Sequence, residues 1–273
     1  MGLGQHFFDS GAFTLEKRAR KWAKETGNSK WDFFDLPESY EFLDRYAEFV
    51  KEHRLGIDYY ANVDVIGNPE LTYRNQKYLE ELGLRPVPAI HYGTDVAWLK
   101  RYIDDGHDYV AVGGLIGRIN KPATRNWLDQ CFSMMCDSSG LPVVKCHGFG
   151  MTTFNAMLCY PWYSVDSTSW FRFAMVGLIF VPCSQGGQWD FTKPPFVVHV
   201  HSITKGAKSE ASKVHQWLSD VGTTLEAVSD IDEASGVKQR TLANTRFFHR
   251  FANSLPIWPW AWSRKVGVAQ FNI

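Results

Sequence analysis

The sequence predicts an α/β fold, a (β/α)8 TIM-type barrel, on three observations. From about residue 38 the apolar pattern switches repeatedly between a helical period and short strand-like runs. The helical stretches are about ten to fifteen residues long, which makes βαβ units and a parallel sheet. The length, 273 residues, suits one such barrel and a large core that needs no disulfide or metal staple.

The elements follow in order. Gln5 to Asp9 reads as the first strand. Phe42, Leu43, Tyr46, Phe49 and Val50 repeat at helical spacing, and residues 57–64 then read as a strand. Asn68-Pro69 opens a helix, with proline where its missing N–H is harmless. Leu71, Tyr78, Leu79 and Leu82 line that helix and Gly83 ends it. Arg85 to Gly93 is a strand, and Val96, Leu99 and Ile103 mark the next helix. Tyr109 to Gly114 is another strand. Trp127, Leu128, Cys131, Phe132 and Met135 mark a helix that Gly140 closes. Leu141 to Cys146 and Trp162 to Asp166 bring the strands to six.

Leu178–Val181 and Phe196–His201 are candidates for the remaining strands. Residues 184–190 read as a loop, so the barrel is expected to be irregular in its last strands. Val214, Trp217, Leu218 and Val221 make a late helix, and the proline-broken 255–262 segment reads as an extended tail. With no internal repeat or boundary, residues 1–273 read as a single catalytic barrel domain. A basic and aromatic C-terminal extension covers about residues 234–273.

Composition excludes several classes. The 29 basic and 29 acidic residues cancel, so a nucleic-acid footprint has to be local. Five cysteines in no regular framework predict reduced thiols inside a cell. The N-terminus lacks a signal-peptide pattern, and the longest apolar stretch, from Ala174 to Pro182, is too short for a bilayer. The expectation is a cytoplasmic protein with no membrane partner.

Catalytic residues of barrels lie at the C-terminal ends of strands. That position selects Asp9 with Ser10, Gly11 and Phe13; Asp64; Tyr92; Gly113, Gly114 and Leu115; His147; and Asp166. Three carboxylates ending three strands suit chemistry at a sugar anomeric carbon, one attacking C1′ and another moving the leaving group's proton. Each has an ordinary alternative. Aspartates cap helices, Gly-Gly makes tight turns, and Phe13 could be a core ring.

In their order, these motifs resemble the tRNA-guanine transglycosylase superfamily. Asp9-Ser-Gly-Ala-Phe13 is similar to its DSGGF signature, Val112-Gly-Gly-Leu115 to its GGL strand end, and Val165-Asp-Ser-Thr-Ser-Trp170 to its nucleophile strand. The likeness spans residues 1 to about 175. It implies a (β/α)8 barrel that exchanges guanine for a 7-deazaguanine base, with Asp166 as nucleophile and Asp9 as general acid/base. Phe13 would stack the base, and Asp64 and Gly114 would bind its edge.

The departures carry information. Where the family strand holds two acids, this one holds only Asp166, and Tyr92 stands near the position of a base-reading glutamine. The tRNA enzymes have a zinc site of three clustered cysteines and a histidine, but Cys183 is the sole cysteine after Asp166. The pattern therefore looks more like the compact phage-associated branch that inserts preQ0-type bases into DNA. That implies DNA as partner (tRNA as the alternative), a free 7-deazaguanine as co-substrate, and no metal or other cofactor.

Local cations fit a nucleic-acid partner. Arg18, Arg20, Lys21 and Lys24 follow the Asp9 motif. Arg246, Arg250, Arg264 and Lys265 interleave with aromatic rings in the C-terminal segment. Cations suit phosphates and rings suit unstacked bases; a solvated helix face is the ordinary alternative. His199 and His201, two apart on an expected strand, admit a rival reading as a metal-dependent barrel hydrolase. A non-catalytic nucleic-acid-binding barrel is a further rival. The sequence leaves the oligomeric state open.

Overall fold

The computed structural model describes residues 6–151, 153–204, 208–230 and 233–263. The chain divides into two compact units. One comprises Met1–Phe149 with Trp162–Ser164, the other Gly150–Pro161 with Val165–Ile273.

The first unit is a run of short parallel strands alternating with helices. Its elements are β1 (Phe7–Phe8), α1 (Ala12–Thr26), α2 (Pro37–Glu52), β2 (Tyr59–Tyr60), α3 (Pro69–Glu81), β3 (Ala89–His91), α4 (Ala97–Asp104), β4 (Tyr109–Gly113), α5 (Pro122–Met135) and β5 (Lys145–Gly148). β6 (Ser164–Val165) begins in this unit. The register runs Phe7↔Tyr59 between β1 and β2, His91↔Gly113 between β3 and β4, and Tyr109↔Lys145 between β4 and β5, all parallel. A single parallel bridge, Ala61↔Val87, joins the end of β2 to the approach of β3. β6 lies next to β5, and Tyr163 N–H donates to the Cys146 carbonyl at 2.9 Å. Consecutive strands are therefore spatial neighbours, as βαβ connections require.

Local chemistry explains the helices. Pro37, Pro69 and Pro122 each occupy a first helical position, and the Asn68 side chain caps α3 by accepting from Leu71 N–H at 3.0 Å. α1 and α2 bury Leu15, Ala19, Leu43, Ala47 and Val50 against Val63, Val65 and Leu79. The two-residue strands gain support from buried amides. Asn62 donates to the Thr72 carbonyl and Asn75 to the Val63 carbonyl, both at 2.9 Å, and Gln76 donates to the Pro86 carbonyl at 3.0 Å.

The second unit holds α6 (Phe154–Cys159), α7 (Ser169–Met175), β7 (Leu178–Val181), β8 (Cys183–Gln185), β9 (Gln188–Asp190), β10 (Phe196–His199), α8 (Val200–Thr204), α9 (Lys208–Asp220), α10 (Leu225–Ser229) and α11 (Glu233–Ser254). Strands form at both expected places, but β7 and β10 pair antiparallel, Phe196 opposite Val181. The described strands thus combine the parallel run of the first unit with two antiparallel pairs, β7–β10 and β8–β9, a mixed α/β architecture.

Three readings change here. Residues 184–190, expected as a loop, form the β8–β9 hairpin. Its two-residue turn is Gly186-Gly187, both at positive φ, the conformation that tight hairpin turns require. His201 lies in α8 rather than on a strand, because β10 ends at His199. Residues 233–254 of the expected C-terminal extension are α11, which packs on α7, β7 and α10. Phe247 and Phe251 of α11 are buried, with Phe180 and Trp217 ringing Phe247 at centroid distances of 5.5 and 6.3 Å. No described helix is long and apolar enough to cross a membrane.

Candidate functional site

The C-terminal ends of β1 to β4 carry most of the residues singled out in the sequence. After β1 the chain turns through Asp9, Ser10 and Gly11 into α1. Gly11 adopts φ +73°, a left-handed conformation at which a side chain would be strained. Its N–H donates to Asp9 Oδ1 at 3.2 Å, and Ala12 N–H donates to the buried Ser10 Oγ at 3.3 Å. These bonds hold the turn while Asp9 itself remains exposed. Phe13 is 61% exposed, with Lys17 Nζ 4.5 Å from its ring centroid. The exposed ring removes the core explanation.

The ends of β2, β3 and β4 converge. Asp64 and His91 are buried, and His91 Nε2 stands 3.0 Å from Asp64 Oδ2. Gly113 makes room for this pair, because a Cβ there would lie 3.0 Å from His91 Cδ2. Gly114 follows at φ +74°, and a Cβ on it would meet the Tyr92 backbone nitrogen at 3.2 Å. Tyr92 N–H donates to the Gly113 carbonyl at 3.0 Å, and its ring meets Trp127 edge-on. Leu115 is buried. Asp64, Tyr92, Gly113 and Gly114 therefore share one strand-end cluster, closed by a histidine.

Tyr46 of α2 links this cluster to Asp9. Its hydroxyl donates to the Ala61 carbonyl at 2.6 Å. Burial pushes its pKa well above the ordinary tyrosine value, the neighbouring Tyr60 adds to the shift, and the charges of Asp9 and Asp64 both push further. Both carboxylates thus act on the same phenol.

His147 is placed differently. It lies in the packed interior of the first unit, 2% exposed, its ring stacked on Phe7 at 4.1 Å. Its Nδ1 is 2.6 Å from Ser164 Oγ, which is also 2.6 Å from the Tyr109 hydroxyl. Burial pushes the imidazole pKa down to about 4. Asp166 directly follows β6 and belongs to the second unit. It is exposed, and Gly150 N–H donates to its Oδ1 at 2.6 Å.

The cations separate into engaged and available groups. Arg20 pairs with Glu16 at 2.9 Å and Lys21 with Glu25 at 3.8 Å. Arg18 and Lys24 form no ion pair among the described residues. In the second unit, Arg246 donates to the Val221 carbonyl, and Arg250 donates to the Asp220 carbonyl at 3.1 Å. Both serve the C-terminus of α9. Arg264 and Lys265 lie outside the described residues.

Sequence reasoning missed His91 and Tyr46. Tyr46 reads as part of an apolar helix stripe, and nothing in the pattern sets it apart. His91 carried a signal, since strand alternation puts it on the opposite face from Tyr92. His199 and His201 have ring centroids 5.4 Å apart. No group of three His, Cys, Asp or Glu side chains suited to a metal forms among the described residues. No protein-family model matches the chain, and no curated protein matches it.

Proposed function

We propose that this chain is a base-exchange transglycosylase of the barrel type, replacing guanine in DNA with a 7-deazaguanine base. The observation that carries the reading is the set of strand ends in the first unit. Asp9 is exposed and held by its own turn, and Asp64 stands with Gly113 and Gly114 at neighbouring ends. This is the position at which parallel α/β barrels place their chemistry, and it carries the residues of the transglycosylase-like motifs. Exposed Phe13 adds a flat apolar surface for a base.

In the proposed reaction the target nucleotide leaves the base stack, because C1′ is shielded within it. An Asp166 carboxylate oxygen bonds to C1′ as the bond from C1′ to the guanine nitrogen breaks. Guanine leaves with that electron pair and takes up a proton with help from Asp9. The incoming 7-deazaguanine then bonds to C1′, the sugar–aspartate ester breaks, and Asp9 accepts the proton released. The net change is one base for another, with no electron donor or acceptor required. DNA is preferred over tRNA as substrate because the zinc-binding cysteines of the tRNA-type sequence pattern are missing.

The test is nucleoside mass spectrometry of DNA and tRNA from cells that make 7-deazaguanines and express this chain. The expected result is a deazaguanine nucleoside in DNA. Asp166→Asn should lower the yield by a factor on the order of a thousand or more, as loss of a covalent nucleophile does, with the fold retained. Full exchange by Asp166→Asn would overturn the nucleophile, and modified tRNA with unmodified DNA would overturn the substrate.

A further inference from the structure

Beside Asp9 lies an open groove of about 420 Å³ between α1 and α2, wholly within the first unit. Phe42 and Phe49 give it apolar walls, Thr14 adds a hydroxyl, and Arg18 and Arg45 enter from opposite helices. Both arginines are exposed. Among the described residues neither forms an ion pair, and the one hydrogen bond from either is Arg45 Nε to the Glu41 carbonyl at 3.3 Å. The neighbouring cations Arg20, Lys21 and Lys30 are all engaged by Glu16 or Glu25. The first turn of α1 contains no acid, so that helix end adds positive rather than negative potential.

We propose that this groove is a phosphodiester subsite, in which Arg18 and Arg45 grip a backbone phosphate of the strand whose nucleotide is presented to Asp9. The inference rests on the nucleic-acid reading above and deepens it. Two guanidinium groups without carboxylate partners match a phosphate, which takes planar, two-pronged hydrogen bonds. The apolar walls suit the adjoining sugar or a stacked base. A phosphate beside Asp9 would also fix the register of the strand, since phosphate contacts position while base contacts specify. Arg45 is the discriminating residue, because it sits on α2, outside the basic segment that follows the Asp9 motif.

The experiment measures binding of a fluorescent 20-nucleotide DNA and the matching RNA at several salt concentrations. The proteins are the full chain and its Arg18→Ala, Arg45→Ala, Arg45→Lys and double-alanine variants. For single strands, each lost phosphate contact should reduce the slope of log affinity against log salt by about 0.7. The double variant should therefore flatten the slope by about 1.4, and Arg45→Lys should retain it. DNA and RNA arms show which strand the subsite takes.

Unchanged affinity and slope in the folded double variant would overturn the subsite, as would failure of the unmodified chain to bind either strand. The base-exchange reading fails separately, if the unmodified chain binds the strand but mass spectrometry finds no exchanged base.

Discussion

The two units tie helices to neighbouring segments with the same tool, a buried side-chain amide aimed at backbone carbonyls, but over different chain distances. In the first unit Asn62, Asn75 and Gln76 reach carbonyls only 10 to 12 residues away. In the second, Asn244 of α11 accepts from Phe180 N–H at 3.0 Å and donates to the Leu178 and Trp170 carbonyls, 66 and 74 residues away. Arg240 of the same helix donates to the Ala174 and Val228 carbonyls at 2.6 and 2.7 Å. The first unit is stitched locally and repeatedly. The second is tied by one late helix that returns to bond β7 of the antiparallel pair.

Asn244→Ala gives the largest effect and can break this contrast. It strands one buried N–H and two carbonyls, and each such loss costs about 1–3 kcal/mol. With partial rescue by water, a total of about 3 kcal/mol is expected. Urea denaturation gives the magnitude, and native-state hydrogen exchange gives the location. Exchange should quicken across 178–199 and 233–254 and stay unchanged across 59–113. Uniform quickening over the chain would mean that the two units open together.

The first unit has its own sensitive point in His147. Its pKa is about 4 when folded, against an ordinary value of 6.5. The unfolded chain therefore binds a proton that the folded chain refuses between these values. The neutral, folded form has its full stability above pH 6.5 and loses it as pH falls toward 4. About 3 kcal/mol disappears over that window. His147→Gln should flatten the profile there, even though it lowers stability at pH 7. Urea midpoints at pH 7 and 4.5 for both proteins check this, and an equally steep decline in the variant would move the cause elsewhere.

The same contrast explains what could be read from the sequence. In the first unit each strand precedes its helix with the partner strand one crossover away, so periodicity, Asn68-Pro69 and Gly83 reveal both element and neighbour. The strand-end residues were legible for the same reason. His91 carried only the alternation signal, because its partner, Asp64, follows the end of a different strand. In the second unit β7 pairs antiparallel with β10 and is also bonded by Asn244, far along the chain, and no local pattern marks either contact. Gly186-Gly187 was a legible hairpin signal, obscured by the expectation that the parallel alternation would continue. Arg240, Arg246 and Arg250 look like a basic patch by composition, and only packing shows three of its cations turned to carbonyls.

Gly113→Ala sharpens the account of the strand ends. The added methyl would stand 3.0 Å from His91 Cδ2 and 3.2 Å from its Nε2, so the imidazole must shift off Asp64. About 1–2 kcal/mol of stability should be lost, as for modest overpacking. Base exchange should fall while a double Gly113→Ala, His91→Ala variant regains stability. If the double variant is no more stable than Gly113→Ala alone, the glycine is there for a reason other than the histidine.

The smallest effect separates the two meanings of a C-terminal arginine. Arg250 lies 5.2 Å from the Trp217 ring centroid as well as donating to the Asp220 carbonyl. A cation at a helix C-terminus contributes about 0.3–1 kcal/mol, and its stacking on an aromatic face adds about 0.5–1 kcal/mol. Arg250→Ala should therefore lower stability by about 1 kcal/mol while leaving oligonucleotide affinity and its salt slope unchanged. That pattern would make Arg250 a fastener of α9 to α11 and shift the nucleic-acid footprint toward Arg18 and Arg45. The reverse pattern, unchanged stability with a flatter salt slope, would return Arg250 to the phosphate-binding set and show that its contact with Asp220 gives way when DNA binds.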